Sequence, residues 1–391
     1  TTTGVLYRAT VDLSVDAAVV ITASHNPPEY NGFKICNGTL PMAGQELQEL
    51  KKTFDDNLFK QGNGVVKDFS HFEDQYLDTI VSNAGKPRRR IKIAIDCGNA
   101  VPGPLTIKLM EKLDVDLIPV HCDWDDKFPN HPPDPTRPEN MKDLAKSVVE
   151  NNAEFGIGMD GDGDRIGVVD QEGKFIHPDR LMTIFVKDIL GERKDGTESE
   201  RTVFYDVKCS MALEEAIYSS GGIPKMVRTG HSFMKRELKE NPDSPLAGEM
   251  SGHFFLNDRW PGFDDSLYNT ARLLEIIARE PSPEEGGPKF SDWFEDLPKY
   301  ASTGEAKVPL TMNRKETMDS VERKFSDMKY STVDGVRVRY PEGWFLCRPS
   351  NTEPILVMRA EANDEEGLVN IKQDVEERLG EIINLEKFHN A

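Results

Sequence analysis

Short, β-branched apolar runs that break off into small or polar residues predict an α/β protein of several domains. Three observations carry that expectation. Four such runs, at residues 17–22, 91–95, 155–158 and 203–207, each end in a polar loop: Ala23-Ser24-His25-Asn26, Asp96-Cys97-Gly98-Asn99, Met159-Asp160-Gly161-Asp162 and Lys208-Cys209-Ser210. Residues 44–59 and 105–113 repeat their apolar positions with a helical period, as crossover helices do. The 391 residues are enough chain for two to four cores. Clusters of Pro, Gly and charge at 85–90, 191–201 and 280–287 mark boundaries. After about residue 300 strands and helices follow in mixed order, as in a smaller α+β domain. The predicted units are therefore residues 1–86, 87–187, 188–298 and 299–391.

Charge narrows the partners. A formal net charge of −20 argues against nucleic acid or an anionic membrane surface. It also opposes a phosphorylated ligand, so a phosphate site here must be locally basic or built from backbone N–H groups and a metal. No run approaches the roughly 20 apolar residues that cross a bilayer. The chain opens without Met and without a basic n-region followed by an apolar segment. Five scattered cysteines with no C-x-x-C pair read as free thiols in a reducing cytoplasm.

In open α/β sheets ligands lie beyond the carboxyl ends of the strands, so chemistry is sought in the loops. The first loop carries Ser24 at its tip, with His25 and Lys34 near enough in sequence to neutralise an attached phosphate. It has no G-x-S-x-G elbow of the esterase type. The second, Asp160-Gly161-Asp162-Gly163-Asp164-Arg165, places three carboxylates at alternate positions, a pattern that suits a hard divalent cation such as Mg²⁺ or Ca²⁺. An EF-hand is excluded because Arg165 stands where Gly is needed and Gln171 where Glu is needed. A chance G-x-G-x-x-G at Gly156, Gly158 and Gly161 is set aside, because a strand rather than a helix follows it. The third, Gly248-Glu249-Met250-Ser251-Gly252-His253, offers Glu and Ser from one face to sugar hydroxyls. The fourth, Arg348-Pro349-Ser350-Asn351-Thr352-Glu353-Pro354, has the composition of an anion nest. On residue types alone each of the four also reads as a plain turn.

Taken in series, T-A-S-H-N-P, D-G-D-G-D-R, G-E-M-S-G-H and R-P-S-N-T-E-P resemble the phosphoserine, metal, sugar and phosphate loops of the α-D-phosphohexomutase superfamily. The phosphomannomutase/phosphoglucomutase branch is the nearest. Residues 206–210, 229–232 and 128–135 add to the likeness, which covers nearly the whole chain. The resemblance implies three doubly wound, mixed-sheet α/β domains and a smaller C-terminal α+β domain around a central cleft. It also implies further strands, and a basic active-site residue, ahead of the serine loop, where this chain has about 23 residues.

The same resemblance implies the roles. Ser24 carries the phosphoryl group and, with Asp160, Asp162 and Asp164, holds Mg²⁺. Glu249 and Ser251 grip sugar hydroxyls; Arg348, Ser350, Asn351 and Thr352 clamp the non-reacting phosphate; Lys208, Thr229, His231 and Arg359 line the cleft. Arg165 and Lys34 stabilise charge, with His25 beside the serine, and His253 and Lys34 are the candidates for general base. The expected reaction interconverts hexose 1- and 6-phosphates through a 1,6-bisphosphate, with glucose 1,6-bisphosphate as activator. The expected enzyme is a cytoplasmic monomer or homodimer. Mannose and glucose differ only at C2 and stay undistinguished. A phosphoglucosamine mutase is disfavoured by Met250, where that group has Gln, and an inactive sugar-phosphate sensor by the presence of Ser24 and all three aspartates.

Overall fold

A computed structural model describes residues 1–27, 29–310, 313–350 and 353–391. Four sheets follow one another along the chain, each with its own helices. In the first, Ala17–Ile21, Phe33–Asn37 and Leu40–Pro41 pair antiparallel. Val19, Ile21 and Phe33 on this sheet are exposed. The second sheet sets Asp116–Val120, Lys92–Asp96 and Phe155–Met159 in parallel, then adds Ile166–Val169 and Phe175–Ile176 antiparallel. Phe155–Met159 is buried at every residue, as the centre of a sheet covered on both faces must be.

The third sheet repeats the mixed plan. Ile223–Val227, Thr202–Asp206 and Leu246–Gly248 run parallel and Phe254–Leu256 antiparallel. The fourth is antiparallel, six-stranded and covered by the helix Glu365–Leu379. The mixed α/β architecture and the smaller, differently built C-terminal unit are thus both present. The expected crossover helices form as Gln45–Asp55 and Pro102–Leu113, the latter opened by Pro at its first turn.

The helix Thr3–Asp12 has no counterpart in the sequence reading. Thr2 caps it by accepting from Val5 N, and its stability comes from tertiary packing. The Tyr7 ring lies 5.4 Å from Phe263, and the Arg8 guanidinium sits 5.0 Å over Trp260. One continuous apolar core extends from Val5 through Leu297, across the first three units. A second, separate core runs from Ala306 to Phe388. All five cysteines are free and buried. No helix among the described residues is long and apolar enough to cross a membrane.

Candidate active site

Ser24 follows the first strand in a left-handed backbone conformation, φ +53°, which few non-glycine residues adopt. Its N–H is held by Thr22 Oγ1 at 2.9 Å, and Thr22 Oγ1 in turn donates to Asp162 Oδ2 at 3.0 Å. The Ser24 hydroxyl donates to Asp160 Oδ2 at 3.1 Å and meets His25 Nδ1 at 3.0 Å. The serine and metal loops approach so closely that a Cβ on Gly161 would lie 2.0 Å from the Ser24 carbonyl oxygen. Behind them the 128–135 segment forms the floor: Gly161 N donates to Pro133 O at 3.1 Å, and Pro135 packs on Gly158 and Gly167.

Asp160, Asp162 and Asp164 are all buried, with one oxygen from each within 4.8 Å of the others. Lys34 lies 2.7 Å from Asp162 and 2.5 Å from Asp164. Burial and the charges of Asp164 and Asp162 push Asp160 well up, whereas Lys34 and His253 outweigh burial and hold Asp164 well down. Burial works against the Lys34 ammonium, but Asp164 and Asp162 raise its pKa overall, so it keeps its proton. Arg165 Nε lies 3.6 Å from Asp160. Burial and Arg165 lower His25 to about 4, so His25 is neutral at pH 7 and adds no positive charge there.

Two buried carboxylate oxygens, Asp162 Oδ1 and Asp164 Oδ1, have no hydrogen-bond partner among the described residues. Leaving such atoms bare is costly. An all-oxygen donor set with two unsatisfied anionic oxygens fits a hard divalent cation.

The third and fourth loops join this centre through a continuous polar path. His253 Nδ1 lies 3.6 Å from Asp164 and 2.9 Å from Asp264. Asp264 also pairs with buried Lys235, whose ammonium sits 3.9 Å over the Tyr7 ring and 3.1 Å from His231 Nδ1. The His231 and His253 rings stack at 5.6 Å. Glu249 is buried, accepts from Gly230 N, and takes the Ser251 hydroxyl at 3.3 Å. Thr229 donates its hydroxyl to Asp206 at 3.0 Å and its N–H to Asp334 at 3.1 Å, and Asp334 also accepts from Arg348 Nε at 2.8 Å. Lys208 Nζ meets Glu305 at 2.8 Å, and Arg359 donates to the Lys208 carbonyl at 2.7 Å. Ser350 Oγ accepts from Glu353 N at 3.2 Å. Asn351 and Thr352 lie outside the described residues.

Apart from Ser350, whose hydroxyl meets Glu353 N, the described residues singled out in the sequence join one of two connected groups, around Ser24 or around Arg348. The sequence reading missed the carboxylates that hold them: Asp206, Asp264, Glu305 and Asp334, together with Lys235. Asp206 entered only as part of the 206–210 likeness, and the other four carried no local signal of a site role.

The chain is similar to known proteins over most of its length. The chain matches the phosphoglucomutase/phosphomannomutase models for α/β/α domain I over residues 1–61, domain II over 74–173, domain III over 177–300 and the C-terminal domain over 305–378. It is 42% identical to the phosphomannomutase/phosphoglucomutase of Pseudomonas aeruginosa over 376 residues, 95% of this chain and 78% of that protein. It is 40% identical to a phosphoglucomutase of Neisseria meningitidis, again over 95% of this chain and 79% of the relative. The crystal structure of a phosphoglucomutase/phosphomannomutase family protein from Burkholderia thailandensis superimposes with a TM-score of 0.84 at 40% identity. That match covers 93% of this chain and 76% of the other.

Proposed function

The chain belongs to the phosphoglucomutase/phosphomannomutase family, and from that premise we propose a phosphohexomutase that interconverts hexose 1- and 6-phosphates through phospho-Ser24. The observation that carries the reading is the contact of Ser24 Oγ with Asp160, 136 residues away, beside two buried carboxylate oxygens that accept no hydrogen bond among the described residues. Asp160, Asp162, Asp164 and an oxygen on Ser24 would hold Mg²⁺. Bound there, it supplies positive charge to a phosphoryl group in transfer. Lys34 and Arg165 line the same point and extend that charge in an otherwise acidic protein.

Of the two candidate bases, His253 fits better than Lys34. Lys34 faces two carboxylates and holds its proton. His253 turns Nδ1 to Asp264 at 2.9 Å, so Nε2 is the ring nitrogen left to exchange a proton with a sugar hydroxyl. Glu249 and Ser251 offer oxygens to the sugar; Arg348, steadied through Asp334, and Ser350 receive the non-reacting phosphate. Mannose and glucose phosphates are both proposed substrates, glucose 1,6-bisphosphate the activator, and the cytoplasm the location.

The test is ³¹P NMR of the protein with glucose 1-phosphate, and separately mannose 1-phosphate, with Mg²⁺ and a trace of glucose 1,6-bisphosphate. The expected result is a 6-phosphate signal with the wild type and a loss on the order of 10⁴-fold or more in Ser24→Ala. Undiminished conversion by Ser24→Ala would rule the phosphoserine route out.

A further inference from the structure

Arg337 is a buried cation with no salt-bridge partner among the described residues, although the charges of Glu214 and Glu361 reach it. It is 8% exposed, on the strand Val336–Arg339 of the C-terminal sheet. Its guanidinium stacks 4.1 Å from the Trp344 ring and donates to two uncharged acceptors of the third unit, Met226 Sδ at 3.2 Å and the Cys209 carbonyl at 3.4 Å. The nearest buried carboxylate is already engaged: Glu361 accepts from Met211 N at 2.7 Å and Trp344 Nε1 at 3.1 Å. Burying an unpaired charge is costly, and burial presses the Arg337 pKa downward although the group stays protonated.

The neighbouring strand adds to the imbalance. Lys329 and Arg339 stand directly opposite in the antiparallel pair Lys329–Ser331/Val336–Arg339, where like charges repel. Arg337 and Arg339 are two residues apart on one strand and so share a face of the sheet. Among the described residues none of the three cations makes a salt bridge.

These three cations line one cavity. It has a volume of about 260 Å³ and lies between the helix Met211–Ser219 of the third unit and the C-terminal sheet. Met211, Met226 and Trp344 form its apolar side. Its only acidic residue, Glu214, hydrogen-bonds the Tyr205 hydroxyl. Three cations against one carboxylate leave the cavity short of about two negative charges, in a protein whose net charge is −20. A guanidinium fork beside a lysine and an apolar wall matches an organic phosphate.

We propose that this cavity is a second ligand site, apart from the Ser24 centre, that takes a small phosphate monoester with a flat or apolar body. The phosphate dianion would meet Arg337, Lys329 and Arg339, and the body would lie along Met211, Met226 and Trp344. Because Arg337 belongs to the C-terminal unit and Met211 to the third, the occupant would bridge the two.

The test uses AMP as the probe, with the Ser24 centre saturated by glucose 1-phosphate, followed by calorimetric titration and thermal melting. The expected result is saturable AMP binding with a raised Tm. The double variant Lys329→Ala/Arg339→Ala, altered only at exposed positions, should weaken it by roughly tenfold or more. Arg337→Leu should abolish it; if that variant does not fold, the exposed double variant decides. Absence of AMP binding up to ~10 mM, a range that covers even millimolar affinities, would overturn the proposal. So would unchanged affinity in the double variant, or inorganic phosphate binding as tightly as AMP.

Discussion

The serine loop and the metal loop both follow a strand, yet they are held in different ways. The Asp160 loop leaves a strand buried along its whole length and rests on the 128–135 floor. The Ser24 loop leaves a strand with only one buried residue of five. Its place is set from across the site, by Thr22 on Asp162, Ser24 on Asp160 and Lys34 on Asp162 and Asp164. A loop-tip serine can thus be positioned by the carboxylates across from it rather than by its own sheet, and the electrostatics of one loop become the scaffold of the other.

That dependence can be broken most severely at Lys34. Lys34→Met leaves three buried carboxylates facing one another, so without metal it should cost about 3–5 kcal/mol, read as a fall in Tm. Mg²⁺ should restore most of the loss, while activity stays down by about 10²–10³-fold. A metal-free melting point equal to wild type would mean that Lys34 does not hold the loops together. Gly161→Ala is gentler. Its Cβ must drive the loops apart against a backbone oxygen, so kcat should fall about 10²-fold for a displacement near 1 Å, with Ser24 still present to take a phosphoryl group.

Asp334→Ala works at the far end of the polar path. It removes the acceptor shared by Thr229 N and Arg348 Nε, and the loss of a hydrogen bond to a charged group is worth about 1.5–3 kcal/mol. The expected effect is a raised KM with kcat much less altered. The smallest effect on turnover belongs to Asp265→Asn. Burial lifts Asp265 to about 7, against bonds from Tyr76, Tyr268 and Leu267. The folded state therefore binds its proton where the unfolded state, with a pKa near 4, does not. Its contribution to stability is present below pH ~4 and is lost as pH rises through about 7. Asn mimics the protonated carboxyl and remains a good helix cap, so the variant should flatten the slope of stability against pH across that window and leave activity unchanged.

Much of this was legible in the sequence because strands and loops are local. The apolar runs at 17–22, 155–158 and 203–207 stop where Ser24, Asp160 and Lys208 begin, and the structure ends each strand within a residue or two of that point. The helix Thr3–Asp12 was not legible. Thr3, Gly4 and Val5 in its first turn weaken its propensity, and Tyr7 and Arg8 become helical by packing on Phe263 and Trp260, over 250 residues away. Asp334 and Asp264 escaped for a related reason. A carboxylate that matters through Thr229 or Lys235 has no signature until the fold brings it there.

The split between the two apolar cores bears on how the protein comes apart. Val5 to Leu297 share one core, whereas Ala306 to Phe388 have their own, joined to the rest through a small apolar cluster of Val207 with Trp344 and Leu346 and through polar contacts such as Asp334 with Thr229 and Arg359 with the Lys208 carbonyl. Four units in sequence therefore amount to two blocks in cooperativity. In mild denaturant the C-terminal block should open as one body, giving two melting transitions and early proteolytic cleavage near residue 300, while the Ser24 and Asp160 loops remain clasped.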